Sequence, residues 1–294
     1  MPMPMRPTPL CHAAVLVLAA VLPGMAQATY QLTASARSHA VSVLPLPGST
    51  DTDPQNLNFL NQPGAAMLQR LDTFAETDHG SATGLFLGRI GLLKAYAASD
   101  HARCCVDGAT LLLGDADASV QASFYDEVVV DGAGLAPGTP VSYQLQVRLS
   151  GTVSASDPAR DSNLAATALA TARLRDTASG QAVDFSWDAA RQDTGVYHLS
   201  LATAVGRTLS IQGMLNIGTR VSAGAVIGRS AEVDFYNTAG FHLAPSVAGL
   251  NTIGASGTDF LAPVPEPATW AAMLLGLATL GGLARLRRCG LRAC

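Results

Sequence analysis

Apolar and polar residues alternate with a period of two through the middle of the chain. Tyr143, Leu145, Val147 and Leu149 alternate with Gln144, Gln146, Arg148 and Ser150. Leu209, Ile211, Gly213, Leu215 and Ile217 alternate with Ser210, Gln212 and Asn216, although Met214 interrupts the polar face. Ala231, Val233 and Phe235 alternate with Glu232, Asp234 and Tyr236, and Val120, Ala122 and Phe124 with Gln121 and Ser123. Successive side chains of a strand point to opposite faces, so this pattern predicts antiparallel strands with one dry and one wet face. Turn residues punctuate the runs at 131–134, 137–140, Ser179-Gly180, Gly206 and Ala239-Gly240. Many short strands at this spacing predict an all-β body, an antiparallel β-sandwich of jelly-roll-like form, over residues 29–244.

Three stretches depart from this rhythm. Ala165 to Arg175 is rich in alanine, but Ala168, Ala170, Ala172 and Leu174 alternate with Thr171, Arg173 and Arg175, which favours a strand over a helix. Residues 45–63, rich in Pro, Asn, Asp and Thr, read as a long loop, and Met67, Leu68 and Leu71 share a face of a short helix expected over 65–75. Residues 245–263 read as a linker ending in Gly, Ser and Thr.

The two ends follow other rules. One arginine (Arg6), an apolar stretch from Ala13 to Leu22, Pro23-Gly24 and the small residues Ala26 and Ala28 form a secretory signal peptide over 1–28, cleaved after Ala28. The apolar run is too short to span a bilayer, which takes about 20 residues. Residues 268–284 carry no charge and would make a helix of roughly 26 Å, enough for a thin bilayer. Arg285, Arg287, Arg288 and Arg292 follow in a tail, 285–294, that the positive-inside rule keeps in the cytoplasm. The topology expected is a body outside, one span in the inner membrane, and a basic tail inside.

Val264, Pro265, Glu266 and Pro267 stand directly before that span. Each proline fixes its own φ and keeps the residue before it extended, so Glu266 is presented on an extended strand at a fixed height above the membrane. The order of these residues, the span and the arginine cluster resembles the PEP-CTERM sorting signal of Gram-negative bacteria. The resemblance implies a partner, an exosortase-like transpeptidase or protease, that recognises Pro265, Glu266 and Pro267 and removes the tail. It also implies delivery from an inner-membrane-anchored intermediate to the cell surface or extracellular matrix, in association with exopolysaccharide. Residues 115–263 resemble bodies found on such tails, in the Pro137-Gly138-Thr139-Pro140 turn, the 231–239 run and Ser256-Gly257-Thr258-Asp259-Phe260.

Composition then narrows the body. Hydrophobic residues make up 48% of the chain but aromatics only 5%, so alanine carries much of the core. Of the 18 basic residues, removing Arg6 and the four tail arginines leaves 13 in residues 29–263, against 21 acidic ones, or about −8. An acidic exported body with no basic stripe excludes nucleic acid as a partner.

Cys11 leaves with the signal peptide, and Cys289 and Cys294 lie in the tail. Cys104 and Cys105, adjacent in the body, close no long loop; they are two thiols in a loop, or a bridge to another molecule. No cofactor, zinc spacing or Gly-x-Ser-x-Gly elbow is present, and Gly254-Ala255-Ser256-Gly257 falls one residue short of the last. Asp78-His79 and Asp100-His101 are neighbours that strand geometry sends to opposite faces.

Asp51/Asp53 and Asp115/Asp117 have a spacing that can serve calcium, but neither is followed by the glycine and glutamate of an EF-hand loop, which favours solvated turn acids. Asp126-Glu127 offers the carboxylates a glycosidase would use. Trp187, Tyr125, Tyr143, Tyr197 and Tyr236 stand singly, as packing residues. No catalytic residue is assigned. The reading is a non-enzymatic surface or matrix protein, with a secreted polysaccharide or ester hydrolase, or a carbohydrate- or calcium-binding module, as alternatives.

Overall fold

The computed structural model describes residues 29–42, 48–101, 114–156, 164–222 and 229–261. The signal segment with Ala26 and Ala28, Cys104 and Cys105, and everything from Val264 onward lie outside these residues. Among the described residues no helix is long and apolar enough to cross a membrane.

Two six-stranded antiparallel sheets face each other. Sheet A runs β2 (Ser49–Leu60), β1 (Gln31–Ser42), β6 (Gly114–Val129), β11 (Thr208–Val221), β8 (Leu164–Asp176) and β9 (Ala182–Asp188). Sheet B runs β10 (Gly195–Ala204), β7 (Pro140–Ala155), β12 (Ser230–Pro245), β5 (Leu92–His101), β4 (Gly80–Arg89) and β3 (Gln69–Thr77). The chain changes sheet after β2, β5, β6, β7, β9, β10 and β11, so that the strands of the two sheets interleave in sequence in a β-sandwich.

Alternation in sequence becomes alternation in burial. On β6, Ala116, Ala118, Val120, Ala122 and Phe124 are buried while Gln121 and Ser119 are exposed. The strand expected at 165–175 is β8, with Ala168, Ala170, Ala172 and Leu174 inward and Arg173 and Arg175 exposed. The interior mixes these small side chains with a few large ones. Trp187 and Phe235 meet edge-on with ring centroids 5.4 Å apart, and Phe124 and Phe241 at 4.9 Å. Both pairs join a ring of sheet A to a ring of sheet B, and alanines on the same strands fill the space around them.

Three expectations are corrected. Most of the loop expected over 45–63 is β2, paired with β1 from Ser42↔Ser49 to Gln31↔Leu60. It reads as polar because it is an edge strand that covers little core, and Pro54 fits there because an edge position needs no N–H. The helix expected over 65–75 is a single 3-10 turn, Pro63–Ala66, followed by β3. Leu71 is buried, but Met67 and Leu68 are 64% and 54% exposed, so their shared helical face has nothing to cover.

The linker expected over 245–263 is packed onto the body as far as Phe260. Leu250, Thr252, Thr258 and Phe260 are buried, and Leu243 N–H donates to Phe260 O at 2.7 Å. An apolar residue every few positions and inward-facing threonines hold this segment without regular structure.

Candidate functional site

Asp126 and Glu127 are neighbours near the end of β6, and a strand sends them to opposite faces of sheet A. Asp126 points inward and is fully buried. Its Oδ2 accepts from Ser256 Oγ at 2.6 Å, and its Oδ1 accepts from the N–H of Ser256 at 3.2 Å and of Glu127 at 2.8 Å. Burial pushes its pKa up, against these hydrogen bonds, which favour the charged form. Gly254 closes over the carboxylate; a Cβ there would lie 2.0 Å from Asp126 Oδ2, so only glycine lets the segment approach.

Glu127 points outward. Its Oε2 accepts from the Thr29 N–H at 3.1 Å, and its other oxygen from the Tyr125 hydroxyl at 2.5 Å. Burial, and then this bond, raise the Tyr125 pKa. The Tyr143 hydroxyl, itself buried, donates to Asn251 O at 2.8 Å, and its pKa is pushed up to about 12 by burial. One acid of the pair therefore fastens residue 29, where cleavage of the signal segment is expected. The other fastens the segment that leads towards the sorting tail. Nothing in sequence spacing reveals this, because the partners are separated by 98 and 130 residues.

The other acids also have structural partners. Asp51 and Asp53 of β2 accept from the N–H groups of Glu76 and Phe74 at 3.0 and 3.1 Å, and Gln55 Nε2 donates to Asp72 O. Side chains two apart on the edge of sheet A thus satisfy the free backbone edge of β3 in sheet B. Asp117 lies between His39 and Arg220 in register on the outer face of sheet A.

His79, in the turn before β4, and His101, at the end of β5, are both buried beside Gly114. His101 Nε2 bonds Gly114 O at 2.8 Å, and His79 Nδ1 bonds Ser42 Oγ. Among the described residues no group of three metal-ligating side chains converges.

Of the tyrosines read as packing residues, Tyr143 is in the core and Tyr125 and Tyr236 are half-buried on outer faces. Tyr125, Gln31, Gln212, Met214 and the Arg173–Asp184 ion pair line a shallow cleft of about 620 Å³ on sheet A.

Fold and sites together define an all-β body whose two ends are clasped by adjacent residues of one strand. Residues 263–288 match the model of the PEP-CTERM protein-sorting motif, and the chain carries that motif. The motif implies export, processing by exosortase and a membrane-anchored intermediate on the way to the surface.

No curated protein matches the chain. Among solved structures it is similar to the enzymatically active domain of tailspike protein 4 of bacteriophage CBA120. The identity is 14% and the TM-score 0.15, over 62% of this chain and 20% of that one. A TM-score of that size carries no argument about fold or activity.

Proposed function

We propose that the chain is an exported protein, freed of residues 1–28 after Ala28, whose body serves as a non-catalytic interaction module for exopolysaccharide at the cell surface or in the matrix. Val264, Pro265, Glu266 and Pro267 present the cutting site to an exosortase-like enzyme. The span over 268–284 and the arginines behind it hold the inner-membrane intermediate until then. The observation that carries this reading is the sorting motif over 263–288. The clasped ends of the body support it, because such a body stays closed after both flanking segments are removed.

The test is intact mass and location in a host that carries the sorting enzyme, wild type against Glu266→Ala. The wild type is expected to begin at Thr29, lack the tail and appear outside the cell, while the variant keeps Cys294 and stays in the inner membrane. Retention of Cys294 by both proteins refutes sorting and leaves a single-span anchor.

A further inference from the structure

The outer face of sheet B carries a trough of about 470 Å³ beside Thr258, Asp259 and Leu261, a volume in the range of small-ligand sites. Its geometry follows from register. Arg148 of β7 pairs with Gly240 of β12, Gly240 with Leu92 of β5, and Leu92 with Arg89 of β4. Two exposed arginines therefore stand at the ends of one row about 14 Å long, with a glycine and a leucine as the floor between them. Lys94, the chain's single lysine, rises from the side two residues along β5.

The trough's charge is free to act on a ligand. Among the described residues no carboxylate lies within ion-pair distance of Arg89, Arg148 or Lys94. Asp259, on the rim, instead accepts from Thr252 Oγ1 at 2.8 Å and from the Leu261 N–H at 2.9 Å. His242, beside Arg148, has its pKa lowered by burial and then by that arginine. A cluster of unpaired cations on a body of about −8 is a local departure from the protein's overall field, the kind that selects an anion.

Further along β5, past Lys94, lies a second, separate pocket. Leu85, Tyr96, Asp234 and Tyr236 line it, and Lys94 Nζ sits 5.9 Å from the centroid of the Tyr236 ring. Alternation along β12 puts Phe235, like Val233, in the core and Tyr236, like Asp234, outward, and the register with β5 shifts after Asp234. Gly151 makes room for this strand, since a Cβ there would lie 2.4 Å from Asp234 O.

We propose that this face binds an acidic polysaccharide, with the carboxylate of a uronate residue between Arg89 and Arg148 and the neighbouring sugar ring against Tyr236 and Tyr96. This rests on the polysaccharide role proposed above and names its ligand and its site. Planar guanidinium groups match a carboxylate through paired hydrogen bonds, and a tyrosine ring offers an apolar face with a polar tip. An anionic bilayer is the less favoured occupant, because it is broad and flat where the trough is concave, and the body's net charge opposes it.

The test uses the full chain reconstituted in phosphatidylcholine nanodiscs, exposed to polygalacturonate, to neutral dextran and to phosphatidylglycerol vesicles. Wild type is expected to bind polygalacturonate at least about tenfold more tightly than dextran. The Arg89→Gln/Arg148→Gln double variant should lose about tenfold while melting at the same temperature, both arginines being exposed. Equal binding of both polymers by wild type and variant removes this site and leaves the polysaccharide role standing. Binding of neither polymer removes both. Vesicle binding that the double variant loses, without polymer binding, reassigns the trough to the membrane.

Discussion

Asp176 shows how one buried carboxylate sets the acid limit of the sandwich. It is fully buried at the end of β8, which by itself would raise its pKa. The N–H groups of Ser179 and Ala178, Arg207 Nη1 at 2.9 Å and the Thr203 hydroxyl at 2.8 Å overcome that, and the pKa falls to about 2. A carboxyl whose folded pKa lies below its unfolded value stabilises the fold fully above the unfolded value, near pH 4, and progressively less as pH falls towards 2. The shift corresponds to about 2 kcal/mol. Asp176→Asn should therefore unfold more easily than wild type by about that amount at pH 7, and the gap should close near pH 2. Urea melts across that range measure it; a gap unchanged down to pH 2 would show that the ionised carboxylate is not what holds Arg207, Thr203 and the 176–180 turn together.

At the scale of elements, the two sheets are closed along one side by side chains rather than by a shared ladder. Asp51, Asp53 and Gln55 alternate on β2 and take up the backbone of β3 across the gap. An edge strand left with free N–H groups is a template for another chain. Replacing both Asp51 and Asp53 by alanine should lower stability by about 1 kcal/mol and promote association through β3. Light scattering and melting curves report the two effects, and a variant that associates no more than the wild type would show that β3 needs no cover.

The same geometry explains what the sequence discloses. β6, β7, β8 and β11 are legible because each buries a whole face, so polarity alternates. β2 is hidden because its working side chains grip backbone, and a grip on backbone is polar. β3 is hidden because only Leu71, of the three residues that suggested a helix, meets the core. The acids of β6 are visible as a pair, but whether they act on a ligand or on their own chain depends on which strands and segments fold beside them. The trough was illegible for the same reason, since Arg89, Lys94 and Arg148 come from three separate strands and meet only through register.

On the scale of the whole molecule, the packing of residues 246–260 moves the boundary between body and tail. A free linker over 245–263 would let the body wander on the order of 60 Å from the membrane. With the chain fixed as far as Leu261, six residues separate the body from Ala268, and the extended reach from Leu261 to Ala268 is about 25 Å. With the span proposed over 268–284, this reach would hold the intermediate close to the bilayer, and Leu261, the last described residue, lines sheet B's trough. Asp126 sustains this arrangement, because it ties residues 254–258 to the middle of sheet A. Limited proteolysis of the full chain in detergent should leave every bond between Pro245 and Phe260 intact and cut only beyond Leu261. In Asp126→Ala, the half-buried Ser256 N–H loses its acceptor and the Ser256 hydroxyl keeps only Thr258 Oγ1, a penalty of about 1–3 kcal/mol, and the same protease should cut within 246–260 while sheet A persists. Mass spectrometry of the fragments decides it. Cutting within 246–260 of the wild type would restore the free linker and the long reach, and indifference of the variant would remove Asp126 as the fastener.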